Sequence, residues 1–218
     1  MGRLIVNKNR ALSSNTSAGT RKYVRNPQYL DLPTLVNGNE KIYMLVKVFE
    51  TNNFITLNAT GDYQVDYGDG QGVQTYTSGV QANYEIDWNN ISSSTLTDDG
   101  FRQAIITITP QSGSVLSTYT LYNLTHPNDA GVDYHFYVVD VKMAGQNFTS
   151  LSQCFWNSWG IEQFEYVGTA PLLTNLSYTF YIANQLKKVI SIPSSSVTSF
   201  SRTFRQTPQL LEVPKLDL

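Results

Sequence analysis

Three features of the amino-acid sequence predict a mainly β protein: an antiparallel β-sandwich followed by a short repeat solenoid, with an extended arm in front. Residues from about 39 to 145 break into short runs rich in β-branched and aromatic side chains, separated by Gly, Asn, Asp or Pro. A phrase reading Thr-x-apolar-Ser-x-Cys/Thr-Phe occurs three times, from Thr149, Thr174 and Thr198, with spacings of 25 and 24 residues. The 14 Tyr, 10 Phe and 3 Trp stand beside only 15% charged residues, a balance that suits half-buried strands better than long helices. At 218 residues the chain can bury one large core or two modest ones.

The arm comprises residues 1–38. Arg3, Lys8, Arg10, Arg21, Lys22 and Arg25 fall within the first 30 residues with no acid among them. Those 30 residues therefore carry +6, and a net charge of −2 for the chain leaves −8 on the remaining 188. The stretch is polar, with no sustained period, and on its own should be flexible or extended, because it buries too little apolar surface to offset its ordering. It reads as a solvated tail or as a docking arm for nucleic acid or protein. Tyr23, Tyr29, Leu30, Leu32 and Leu35 place apolar anchors among the charges, which favours a protein surface over specific nucleic acid.

Residues 39–145 supply eight strand-like runs: KIYMLVKVFE, NFITLNAT, YQVDYG, VQTYTSG, ANYEIDW, RQAIITITP, LSTYTLYNL and YHFYVVDVKM. Their spacing suits an antiparallel sandwich. In RQAIITITP, Ile105, Thr107 and Thr109 should share one face and Ile106 and Ile108 the other, with both faces buried. Asp69-Gly70, following Gly68, is a hairpin signal between YQVDYG and VQTYTSG. A calcium loop from Asp62, Asp66 and Asp69 is the functional alternative, but it lacks the ligand spacing of known loops.

Residues 146–218 hold the repeat. Six residues after each phrase-ending Phe an apolar triplet begins: Ile161, Phe164, Val167; then Leu186, Val189, Ile192; then Leu210, Val213, Leu216. With Leu151 and Phe155, Leu176 and Phe180, Phe200 and Phe204, each of the three units carries five apolar positions in register. One unit cannot bury its own apolar side, so stacked turns must hide the same positions against each other, which is the logic of a solenoid of leucine-rich type. Phe155, Phe180 and Phe204 should form an internal aromatic ladder. Cys154 aligns with Thr179 and Thr203 and reads as a small buried side chain, not a nucleophile. No polar cap follows the third unit, so a continuing chain, another subunit or another protein is expected to cover it.

Two resemblances follow from these residues. The stretch from Leu186 to Leu218 resembles the BspA-like leucine-rich repeat over residues 148–218, with departures in the Leu/Phe mixture at the first apolar site and in a Cys in only one unit. YQVDYGDGQGVQTYTSG with RQAIITITP resembles a PKD-like, immunoglobulin-like β-sandwich. Their combination is similar to virion structural proteins of tailed phages, marine and cyanobacterial ones in particular. The resemblance implies a tail-fibre, capsid-associated or decoration component.

Sequence signatures of catalysis are sparse. Cys154 is the single cysteine, which leaves no intrachain disulfide and no cysteine-based zinc site. His126 and His135 have no metal-ligand spacing around them, and no nucleophile elbow, phosphate loop or zincin helix occurs. GDGQG matches a dinucleotide turn only loosely. Asp98 and Asp99 precede Gly100 in what reads as a turn. The six Asn-x-Ser/Thr sequons reflect a Ser/Thr/Asn-rich β surface. The opening residues fit neither a secretion signal nor a myristoylation site, and no apolar run spans a membrane.

The expectation is a non-enzymatic virion protein without cofactor or metal, present in several copies. The arm should dock it on other virion proteins, and the repeat should serve assembly or contact a host glycan or receptor. Modules typical of extracellular surfaces without a secretion signal fit a virion, because lysis releases it. A cell-surface adhesin or carbohydrate-binding module is the alternative, in which Trp156, Trp159, Tyr166, Tyr178 and Tyr181 would stack on sugars if they face outward. A polysaccharide depolymerase is the third reading, and it would need acids gathered on one surface.

Overall fold

A computed structural model describes residues 21–51, 53–121, 124 and 137–216. The chain is mainly β. Each of the eight runs yields a strand: β1 Lys41–Val48, β2 Phe54–Thr60, β3 Tyr63–Asp66, β4 Val73–Tyr76, β5 Ala82–Glu85, β6 Arg102–Pro110, β7 Thr118–Thr120 and β8 Val138–Ala144. Two further short strands, β9 Gln163–Tyr166 and β10 Lys188–Ser191, come from the apolar triplets of the repeat.

The strands form a seven-stranded sheet in the order β10-β9-β8-β1-β6-β3-β4 and a three-stranded sheet in the order β5-β2-β7. Pairing is antiparallel from β8 through β1, β6 and β3 to β4, but β8–β9 and β9–β10 are parallel. The hydrogen-bonded sheet therefore runs without a break across the division expected at residues 145/146. So does the core, which joins Ile42, Met44 and Ile106 to Phe155, Phe180 and Val189 in one cluster.

Alternation in β1 and β6 explains how the two sheets face each other. Ile42, Met44, Val46 and Val48 of β1 and Ala104, Ile106 and Ile108 of β6 are buried toward the three-stranded sheet, where they meet Ile55, Leu57 and Ala59 of β2. The expectation that β6 is buried on both faces is corrected: Ile105, Thr107 and Thr109 are only half-buried. Between β3 and β4 the chain turns through Tyr67–Gly72, with Gly68 at φ +74°. A Cβ on Gly68 would sit 2.7 Å from the Ile105 carbonyl oxygen, so both the backbone angle and the close approach require glycine. Asp62, Asp66 and Asp69 each accept a backbone N–H of this region, from Ser78, Gly68 and Gln71 respectively. Asp98-Asp99-Gly100 forms the expected turn, closed by Gly100 N–H to the Thr97 carbonyl at 3.0 Å.

The arm differs from its expectation. Residues 21–38 form no helix or strand, yet they lie against the reverse face of the large sheet instead of standing free. Tyr29 is 7% exposed and joins Leu45, Phe101 and Val139 in a second apolar cluster, flanked by Leu30, Leu32, Phe49 and Ile105. The anchors visible in the sequence found their surface within the same chain.

Candidate functional site

Three surfaces could carry function: the strap made by the described part of the arm, the outer face of the coil, and the coil's last rung. The coil is built by backbone hydrogen bonds between equivalent residues. Leu151, Gln153, Phe155 and Asn157 donate their N–H groups to the carbonyls of Asn175, Ser177, Thr179 and Tyr181 at 2.8–3.1 Å. Leu176, Tyr178, Phe180 and Ile182 repeat the pattern onto Ser199, Ser201, Thr203 and Arg205 at 2.9–3.0 Å. Each rung also contains two residues of left-handed φ, at Gln153 and Asn157, Tyr178 and Ile182, and Arg202 and Gln206, all between 57° and 61°. These are the third residues of tight turns closed from Leu151 to Cys154, Phe155 to Ser158, and their equivalents in the second rung.

Inside the coil the three phenylalanine rings stack in register. Phe155 and Phe180 lie 5.5 Å apart at 8°, and Phe180 and Phe204 lie 5.6 Å apart at 6°. Leu151, Ile161, Phe164, Leu176, Leu186, Val189 and Ile192 are buried around them. Thr179 sits between the carbonyls of Leu151 and Leu176, and Thr203 between those of Leu176 and Phe200, so the hydroxyl column ties successive rungs. Cys154 occupies the same place in the first rung, fully buried, and burial pushes its thiol pKa up.

Two assignments of the repeat core are corrected. Val167 is only half-buried, and Tyr166 is the inward residue instead. The reason is strand alternation, which puts Phe164 and Tyr166 on one face of β9 and Val167 on the other; in β10 a register shift between Val189 and Ser191 turns Ile190 outward and brings Ile192 into step with Tyr166. Val213 is 55% exposed, while Phe200, Phe204, Leu210 and Leu216 are half-buried, because no rung covers the third one among the described residues.

On the outer face the expected sugar-stacking residues divide. Tyr166 is buried and points inward. Trp156 and Tyr178 face outward but stack on each other at 5.3 Å and 15°, with Tyr181 edge-on to both. Arg202 covers Tyr178, its guanidinium carbon 5.4 Å from the ring centroid, and donates to the tyrosine hydroxyl at 2.7 Å; Arg205 lies 5.9 Å from the Tyr181 ring. Tyr178 is thus covered by Trp156 and Arg202, and Trp156 and Tyr181 each have one face taken, by Tyr178 and Arg205 respectively. Trp159, 46% exposed, stands apart from this column and donates to Asn157.

The strap is held by charge as well as packing. Arg25 Nε donates to Asp140 at 2.6 Å, and the hydroxyls of Tyr23 and Tyr29 donate to the two carboxylate oxygens of Glu162 at 3.2 and 3.1 Å. Lys187 reaches Glu162 at 2.8 Å, and the Tyr23 N–H donates to Glu212 of the third rung at 2.9 Å. One strand of the sheet and two rungs of the coil are therefore tied by Tyr23, Arg25 and Tyr29 of the arm. Asp140 is 1% exposed and one of its oxygens lacks a hydrogen-bond partner. Burial raises its pKa, with Arg25 opposing. Glu212 is shifted the other way, by the Tyr23 backbone N–H and by Lys188.

As docking residues, then, Arg25 and Tyr29 are corrected: both are engaged within the chain. Arg21 and Lys22 remain exposed, whereas Arg3, Lys8 and Arg10, with His126 and His135, lie outside the described residues. A cavity of about 200 Å³ opens beside the strap and contains Asp31, Asp140 and Glu165. Its acids are already matched, Asp140 by Arg25 and Glu165 by Lys142 at 3.4 Å. Among the described residues no group of three His, Cys, Asp or Glu gathers as a metal site, and no helix is long and apolar enough to cross a membrane. No family model, curated protein or solved structure matches the chain.

The carboxylates that hold the strap, Asp140, Glu162 and Glu212, were not singled out in the sequence. An acid inside the buried run VVDVKM was the available signal, since a buried carboxylate demands a partner.

Proposed function

We propose that the chain is a non-enzymatic structural component of a tailed-phage virion, a tail-fibre, capsid-associated or decoration protein. In this proposal the two facing sheets are a PKD/Ig-like sandwich and the coil is a short BspA-like leucine-rich repeat. Residues 1–20, with Arg3, Lys8 and Arg10, dock the protein on other virion proteins, and the strap of residues 21–32 fixes where that docking segment leaves the body. Multiple copies follow from virion symmetry. The coil serves assembly or host contact.

The observation that carries the reading is the coil itself: three rungs in register, with surfaces committed to packing. Such a surface suits holding a partner, and the coil's acids among the described residues, Glu162, Glu165 and Glu212, are each matched by a lysine at 2.8–3.4 Å. The adhesin or carbohydrate-binding alternative retains the exposed Trp159, but the covered faces of Trp156 and Tyr178 weaken it. Mass spectrometry of purified particles tests the proposal; absence of the protein from them sinks it. Deleting residues 1–20, which spares the strap, should leave folding intact and abolish incorporation, and unchanged incorporation would remove the docking role.

A further inference from the structure

We infer that a cavity between the turns that follow β9 and β10 is a binding site for an acidic sugar, a pyranose carrying a carboxylate. The inference sharpens the host-contact part of the proposal above and rests on that reading only for where the sugar would come from.

The cavity holds about 490 Å³, more than the one beside the strap and within the roughly 300–1,000 Å³ of small-molecule sites. Successive rungs build it. After β9 a tight turn closes with the Leu173 N–H on the Ala170 carbonyl at 3.0 Å, and after β10 its equivalent closes with the Val197 N–H on the Ser194 carbonyl, also at 3.0 Å. Both turns line the cavity. Lys215, which holds the place in the third unit that Ser191 holds in the second, lines it as well.

The chemistry of this lining is one-sided. Among the described residues no carboxylate borders the cavity, and Lys215 is exposed and pairs with none. The hydroxyls of Thr169, Ser195 and Ser196 make no hydrogen bond among the described residues, and that of Ser191, which donates to the Tyr166 carbonyl, keeps its acceptor lone pairs. Ala170, Pro171, Ile192 and Pro193 add apolar surface without an aromatic ring. Tyr166, the one aromatic contributor, is 1% exposed and spends its hydroxyl on the Gly145 carbonyl. One free cation, several spare hydroxyls and a non-aromatic apolar wall complement a carboxylated pyranose: its carboxylate on Lys215, its hydroxyls on the serines and Thr169, its C–H face on the prolines. A nucleotide would want a ring to stack on, a polyanion more than one cation, and a peptide an open strand edge. A bare inorganic anion would leave most of the volume and the hydroxyls unused.

The ¹⁵N-labelled chain, residues 1–218, can be titrated with methyl glucuronide and methyl galacturonide, with their neutral counterparts methyl glucoside and methyl galactoside, and with acetate. At least one of the acidic sugars should shift the amide signals of Thr169, Ser191, Ser195 and Ser196 at millimolar concentration. Its neutral counterpart should bind roughly three- to tenfold more weakly, and acetate should leave those signals in place. Lys215→Met, a change at an exposed side chain, should weaken the acidic sugar by the same roughly three- to tenfold and bring it level with the neutral one, while Lys215→Arg retains the preference. No shift from either acidic sugar at tens of millimolar, shifts confined to other residues, or equal affinity for the acidic and neutral forms would each overturn the inference. So would acetate moving the same signals, or a Lys215→Met chain that binds as well as the natural one. Particle mass spectrometry decides the virion reading separately, so a protein absent from particles that still binds the acidic sugar keeps this site and loses only that reading.

Discussion

Replacing Phe180 by alanine tests the coil at its centre. Phe180 is fully buried, stacked on Phe155 at 5.5 Å and on Phe204 at 5.6 Å, with Phe164 edge-on at 5.1 Å. A Phe-to-Ala change in a core costs about 3–5 kcal/mol, and each lost ring pair represents about 0.5–1.5 kcal/mol of such a figure. Phe204 keeps only one stacked neighbour and is half-buried, so Phe204→Ala should cost less, about 2 kcal/mol. Urea denaturation measures both, and at roughly 2–4 °C per kcal/mol the Phe180 variant should melt about 6–20 °C lower. A double-mutant cycle sharpens the test: Phe155→Ala and Phe180→Ala should couple by about 0.5–1.5 kcal/mol, while Phe155→Ala and Phe204→Ala, two rungs apart, should add to within about 0.5 kcal/mol. Equal losses at Phe180 and Phe204, or a Phe180 cost below about 1 kcal/mol, would refute a coil that is packed within and open at its end.

Three other outcomes are expected. Burial holds the folded pKa of Asp140 above that of an unfolded aspartate, so its contribution to stability is present in full below the unfolded pKa and is lost as pH rises through the folded pKa. The stability of Asp140→Asn relative to the natural chain, read from urea curves at successive pH values, should therefore improve from the acid range toward neutrality; a flat difference would contradict it. Gln206→Gly should stabilise by up to about 1 kcal/mol, because Gln206 is exposed at φ 60° and a left-handed residue with a Cβ is strained. Gly68→Ala should destabilise by about 2–3 kcal/mol in thermal melts, since it combines the φ of +74° with a Cβ 2.7 Å from the Ile105 carbonyl oxygen; a loss below about 0.5 kcal/mol would mean the hairpin moves freely.

The strands were legible because alternation and β-branching are local properties, and all eight runs from KIYMLVKVFE to YHFYVVDVKM contain one. The Phe155–Phe180–Phe204 column was legible for a related reason: equivalent positions in stacked rungs must carry equivalent side chains, and that constraint is written at a fixed spacing. The failures share a different cause. Val167 lost its inward place to Tyr166 because β9 alternates with period two, whereas Ile192 keeps the triplet's spacing of three only through a register shift in β10. Arg25 and Tyr29 read as groups awaiting a partner, but their partners Asp140 and Glu162 lie more than a hundred residues away along the chain, a pairing only the fold creates. The left-handed residues were invisible too, because Gln, Asn, Tyr, Ile and Arg occupy them in place of Gly.

The arrangement of the two halves explains how the first turn of the coil is covered. β8 belongs to the antiparallel part of the large sheet, where it pairs with β1, and also serves as a rung in the strand column: Val141 aligns with Phe164, and Phe164 with Val189. In the turn column residues 117–121 take the same role, with Ser117 accepting from Thr149 and Leu121 donating to Cys154. The facing sheets thus supply the rung on which the first turn of the repeat is laid down, and the strap from Tyr23 to Tyr29 fastens that junction through Asp140, Glu162 and Glu212. A repeat array needs its ends covered to be soluble, and here the fold itself covers the acceptor edge of the first turn, the Cys154 carbonyl accepting the Leu121 N–H at 2.9 Å.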